Sequence, residues 1–114
     1  MSENRSSLIC LDDGEAVGLD NSGESPAYFC VRKPVAVTQE LIADLVAKGA
    51  GTGRGIRLCL HEGPEATLHD MIVVQYGGQY FRPHKHLEKS ESYHMIEGEM
   101  GVVIFDDEGK VVDA

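Results

Sequence analysis

No apolar stretch in this chain runs beyond about five residues, and from Arg57 onward the apolar positions recur with a period of two. Side chains alternate across the two faces of a strand, so this pattern demands short strands with one face covered. Arg57-Leu58-Cys59-Leu60-His61 sets Leu58 and Leu60 on one face and Arg57, Cys59 and His61 on the other. Further strands are expected over Met71–Tyr76, over Tyr80–His86 with Pro83 at an edge or bulge, and over Ser92–Glu97. Met100–Phe105 and Lys110–Val112 flank Asp106-Asp107-Glu108-Gly109, a four-residue hairpin loop.

The front of the chain reads differently. Residues 1–26 read as a loosely ordered segment, because Asp12–Pro26 carries five acids and three glycines with little to bury. Ala27–Val31 reads as a strand. Thr38 is placed to cap a helix over about 38–48, with Leu41, Ile42, Leu45 and Val46 as its apolar stripe and Gly49 as its end. The loop 49–55 that follows lacks the Gly-Lys-Ser/Thr closure of a phosphate loop. With at least six strands and one early helix, the pattern predicts an all-β barrel or sandwich occupying residues 27–114.

Charge then limits the partners. Ten Lys and Arg against 19 Asp and Glu leave a net charge of −9 with no basic run, so a nucleic acid or an anionic membrane surface is not expected. The N-terminus lacks the apolar core of a signal peptide, and Cys10, Cys30 and Cys59 are too far apart for a disulfide framework or a zinc finger. The cytoplasm is the expected compartment, with each cysteine a small buried hydrophobe.

The chemistry concentrates in one segment. His84 and His86 are two apart on a strand candidate and so share a face, and Glu91 follows five residues after His86, far enough to return a carboxylate to that face. Two imidazoles and one carboxylate leave open coordination positions on a divalent ion, which suits catalysis or ligand capture more than a closed structural site. Glu88, two residues after His86, is a rival carboxylate with less chain in which to turn back. His61 and Arg57, on one strand face, are candidates for binding an anionic or hydroxylated ligand. Tyr93 and Met95 share the parity of Glu91 and are expected to line the same cavity, whereas His94 should point away and His69 should lie in a surface loop.

Gly78, His84, His86, Glu91 and Gly98 stand at the spacing of the first cupin motif. The chain is similar to the WbuC-type cupin fold metalloproteins of bacteria in Arg57-x-Cys59-Leu60-His61, His69-Asp70-Met71-Ile72 and Pro83-His84-Lys85-His86. The similarity continues through Lys89-Ser90-Glu91-Ser92, His94-x-Ile96-Glu97-Gly98 and Phe105-Asp106-Asp107-x-Gly109.

The resemblance implies an antiparallel cupin barrel or jelly roll with an N-terminal helix. It makes His84, His86 and Glu91 inward-facing ligands of iron(II), manganese, zinc or nickel, and it suggests a small, carbohydrate-like ligand. The second cupin motif, with its further histidine, has no counterpart here, since no histidine follows His94. The expectation is therefore a barrel incomplete at its C-terminus, whose strand edges at Met100–Phe105 and Lys110–Val112 lead to a homodimer or to self-association. Alternative readings are a non-enzymatic binding module with a structural metal, and an inactive truncated product.

Overall fold

The computed structural model describes residues 7–23, 25–78 and 82–114. They form two compact units divided after Gln79. The first contains β1 (Val17–Asp20), β2 (Ala27–Cys30), α1 (Gln39–Thr52), β3 (Ile56–Cys59) and β4 (Met71–Val74); the second contains β5 (Ile104–Phe105) and β6 (Val111–Asp113). The architecture is mainly β, with one four-stranded sheet, one two-stranded sheet and a single helix among the described residues.

The larger sheet runs β1-β2-β3-β4. β1 pairs antiparallel with β2, and β3 with β4, but β2 and β3 are parallel because α1 carries the chain back between them. The sheet is therefore mixed, not wholly antiparallel as expected, and no closed barrel is formed among the described residues. The segment expected to be loose supplies both an edge strand and part of the core: Leu11, Ala16 and Val17 are buried. Local composition there is polar, and only pairing with β2 makes Val17–Asp20 a strand.

The register sorts the sheet into two faces. Leu19, Tyr28, Leu58 and Ile72 stand in one row, and Ile56 pairs with Val74 beside them. This face meets Leu41 and Leu45 of the helix, with Leu11, Ala16 and Cys30 completing the cluster. The opposite face carries Ala27, Phe29, Arg57, Cys59, Met71 and Val73.

The helix begins as its sequence demands. The Thr38 hydroxyl accepts the Leu41 amide at 3.0 Å, satisfying one of the free N–H groups of the first turn. It ends four residues later than expected. Gly53, with φ 68, is the C-cap, its N–H bonded to the Gly49 carbonyl at 3.2 Å. Gly49 instead lies inside the helix and is buried, where it serves as a contact point. A Cβ built there would stand 2.7 Å from both Ile56 Cγ2 and the Tyr76 hydroxyl oxygen, and that hydroxyl donates to the Val46 carbonyl at 3.0 Å. Val46 itself is exposed, so the buried stripe is Leu41, Leu45 and Gly49.

The second unit is built around its hairpin. Asp106 Oδ1 accepts the amides of Glu108 and Lys110, both at 2.9 Å, and Gly109 takes φ 84. This is the four-residue loop that the sequence marks. The strands expected over 82–86 and Ser92–Glu97 do not form, and Met100–Phe105 contracts to Ile104–Phe105. Tyr80 and Phe81, at the start of the third expected strand, lie outside the described residues.

Cys30 and Cys59 are buried as expected, and burial pushes both thiols up; Cys10 is exposed, contrary to expectation. No helix among the described residues is long and apolar enough to cross a membrane.

Candidate metal centre

Between Gly78 and Gly98, whose φ values of 85 and 89 only glycine adopts without strain, lies the segment that carries the expected ligands. His84, His86 and Glu91 all lie on irregular chain and are exposed, so they do not face a barrel interior. The physical reason is local: without strands over 82–86 and Ser92–Glu97 there is no sheet face to turn them inward.

Two of the three donors nevertheless meet. His86 Nε2 is 3.1 Å from Glu91 Oε1. Two donors about 2.1 Å from one ion and roughly 90–110° apart are themselves about 3.0–3.4 Å apart, so this separation suits a shared cation as well as a direct ion pair. The His84 ring stands beside that of His86, centroids 5.2 Å apart and nearly perpendicular at 87°.

His84 Nδ1 is 3.1 Å from the Arg82 carbonyl oxygen. A carbonyl can only accept, so this contact puts a proton on Nδ1, and a neutral ring in that tautomer has its lone pair on Nε2. This is the usual way a backbone carbonyl orients a ligating histidine. Among the described residues no three His, Cys, Asp or Glu side chains already converge on one point. The donor types, the His86–Glu91 separation and the His84 tautomer fit a divalent ion, with His84 adjacent to the pair rather than joined to it.

The Tyr93 hydroxyl donates to Glu91 Oε2 at 3.1 Å. Local burial of the hydroxyl, followed by the Glu91 carboxylate beside it, pushes the Tyr93 pKa up. His94 is exposed.

The other two expected binding residues part company. Arg57 is exposed and stands across Ala27 from Asp20, with its charge helping to hold Asp20 low after the stronger contribution of Ser22. His61 lies beyond the end of β3, is 4% exposed, and lines a cavity that Arg57 does not reach. His69, expected in a surface loop, is half-buried and stacks on His61 with ring centroids 4.2 Å apart. Its position before Asp70 at the head of β4 is the signal in the sequence, since Asp70 holds the His61 ring through its backbone.

Residues 37–114 match the DUF6016 family, a domain of unknown function, and the chain belongs to that family. No curated protein and no solved structure matches the chain.

Proposed function

We propose that this DUF6016 member binds one divalent transition metal through His84, His86 and Glu91 and uses the remaining coordination positions to hold a small molecule. The observation that carries the reading is the 3.1 Å approach of His86 Nε2 to Glu91 Oε1, beside a His84 ring whose Nδ1 is tied to a carbonyl. The metal would act there as a Lewis acid on a bound oxygen. His84 and His86 would supply neutral nitrogen donors, and Glu91 the one negative charge, steadied by the Tyr93 hydroxyl. The cupin-like spacing from Gly78 to Gly98 supports the same three residues, and the cupin barrel belongs to this reading. Three free thiols are in keeping with a cytoplasmic setting.

Metal titration by calorimetry with manganese, iron(II), nickel and zinc tests the proposal. About one ion per chain is expected, and H84A/H86A should abolish it. Glu91→Ala should weaken binding at least ~10-fold, since even residues behind the ligands cost that much when removed. Glu91→Gln should fall between Glu91→Ala and the unaltered chain, and His94→Ala should change nothing. Stoichiometric metal retained in H84A/H86A would overturn the assignment.

A further inference from the structure

A cavity of about 240 Å³ opens in the first unit, and none of the residues proposed to hold metal lines it. Its walls come from the loop joining β3 to β4, including His61, Glu62, Thr67, Leu68 and Asp70, and from Lys33 ahead of the helix. The volume equals roughly eight waters at ~30 Å³ each, room for a triol or a single hexose but not for a nucleotide.

The polar groups there come as neighbouring donors and acceptors. Lys33 Nζ and Glu62 Oε2 are 2.7 Å apart. An ammonium has three donors, so two remain after Glu62 is served, and Glu62 keeps its second oxygen. His61 supplies a fixed donor. The Asp70 amide, which can only donate, gives its N–H to Nδ1 at 3.1 Å, while the Asp70 carbonyl accepts the Leu60 N–H at 2.7 Å. Nδ1 is therefore the acceptor and Nε2 carries the proton.

The ring cannot swing to suit a ligand. It is stacked on His69 and meets the Phe29 ring edge-on at 5.7 Å. Thr67 adds a hydroxyl that both donates and accepts, and Leu60 and Leu68 supply apolar surface.

Charge selects among ligand classes. Lys33 and Glu62 already neutralise each other, so the pair offers no uncompensated charge to favour an anion. A simple monocation would engage only the Glu62 oxygens and make no use of the His61 donor or the spare Lys33 protons. A neutral polyol satisfies both kinds of group, because each hydroxyl donates to a carboxylate while accepting from an N–H. Two vicinal hydroxyls have a spacing close to that of the Lys33–Glu62 pair, and the carbon face of such a molecule can lie on Leu60 and Leu68. We infer that the cavity between Lys33 and the β3–β4 loop is a binding site for a small neutral polyol, the size of glycerol to a single hexose.

The test is a titration of the ¹⁵N-labelled full chain with D-glucose and with glycerol, followed by amide shifts. EDTA is present throughout, so the outcome does not depend on the proposed metal site. Saturable shifts confined to Lys33 and residues 60–70 are expected, with acetate and propylamine binding more weakly than either polyol. Lys33→Met and Thr67→Val, both at exposed side chains, should each weaken binding roughly five- to tenfold, the loss expected for one hydrogen bond to a charged or ligand hydroxyl group. Glu62→Gln serves as a third variant, and retained amide dispersion certifies each fold. The inference is overturned by an absence of saturable shifts, by unchanged affinity in the folded variants, or by acetate or propylamine binding as tightly as the polyols.

Discussion

His61 shows what burial does to a single titratable side chain. Removal from water disfavours the imidazolium and lowers its pKa below the ordinary 6.5, more than its contact with the Asp70 backbone raises it. The neighbouring groups divide, His69 and Lys33 lowering the pKa and Glu62 raising it. Protonation at Nδ1 would also set a new N–H against the Asp70 amide that now donates there. Above pH 6.5 the ring is neutral both folded and unfolded, and its contribution to stability is fully present. As pH falls below 6.5 the unfolded chain takes up the proton first, so that contribution is lost down to the folded pKa. Urea midpoints should therefore fall between about pH 7.5 and about pH 5, with part of the slope absent in His61→Gln. A His61 ring-proton titration centred at or above 6.5 would contradict this.

At the scale of the helix, two glycines two residues apart should respond to alanine in opposite ways. Gly51 has open space where a Cβ would go, so Gly51→Ala should stabilise by about 0.5–1 kcal/mol through the lost entropy of the unfolded chain. Gly49→Ala gains the same propensity, but its Cβ would stand 2.7 Å from Ile56 Cγ2 and the Tyr76 hydroxyl oxygen. Overpacking of this kind costs about 1–3 kcal/mol and should outweigh the gain, leaving a net loss of roughly 1–2 kcal/mol. Thermal or urea unfolding of the two variants side by side checks the sign. Gly49→Ala as stable as Gly51→Ala would mean that both Ile56 and Tyr76 give way without cost. The helix start was legible because Thr38 and the Leu41–Leu45 pair carry local signals. Its end was misread because a buried glycine and a capping glycine look alike in sequence.

For the chain as a whole, the second unit stands out because every described residue from 82 to 114 except Asp106 is exposed. Leu87, Ile96, Val102, Val103, Phe105 and Val112 are among its uncovered apolar side chains. Its only regular structure among the described residues is the β5–β6 hairpin, and an isolated two-stranded hairpin is marginally stable in water. Strand edges and apolar rows of this kind recruit further strands, so the chain is expected to associate with itself through them. Its net charge of −9 opposes close approach of two copies, and salt screens that repulsion. Sedimentation should show mass rising with concentration, more steeply at about 0.5 M than at about 0.05 M salt. A monomer at all concentrations and both salts would refute it.

The amino-acid sequence by itself determined the features whose causes are local. These are the helix cap at Thr38, the β3 and β4 runs, the hairpin closed by Asp106 and Gly109, and the choice of His84, His86 and Glu91 as candidate donors. Only the tertiary structure decided that Val17–Asp20 is a strand, that β2 and β3 are parallel, and that Gly49 is a contact point. It likewise brought His69 onto His61 while leaving Arg57 at the other end of β3. Each of these depends on a neighbour distant along the chain: β2 for β1, the returning helix for the parallel pair, Tyr76 for Gly49 and the β3–β4 loop for the two histidines. Period and spacing report which way a side chain faces along its own element, but not what stands opposite it, and it is that opposing surface that turns an alternating run into a strand and a histidine into a buried one.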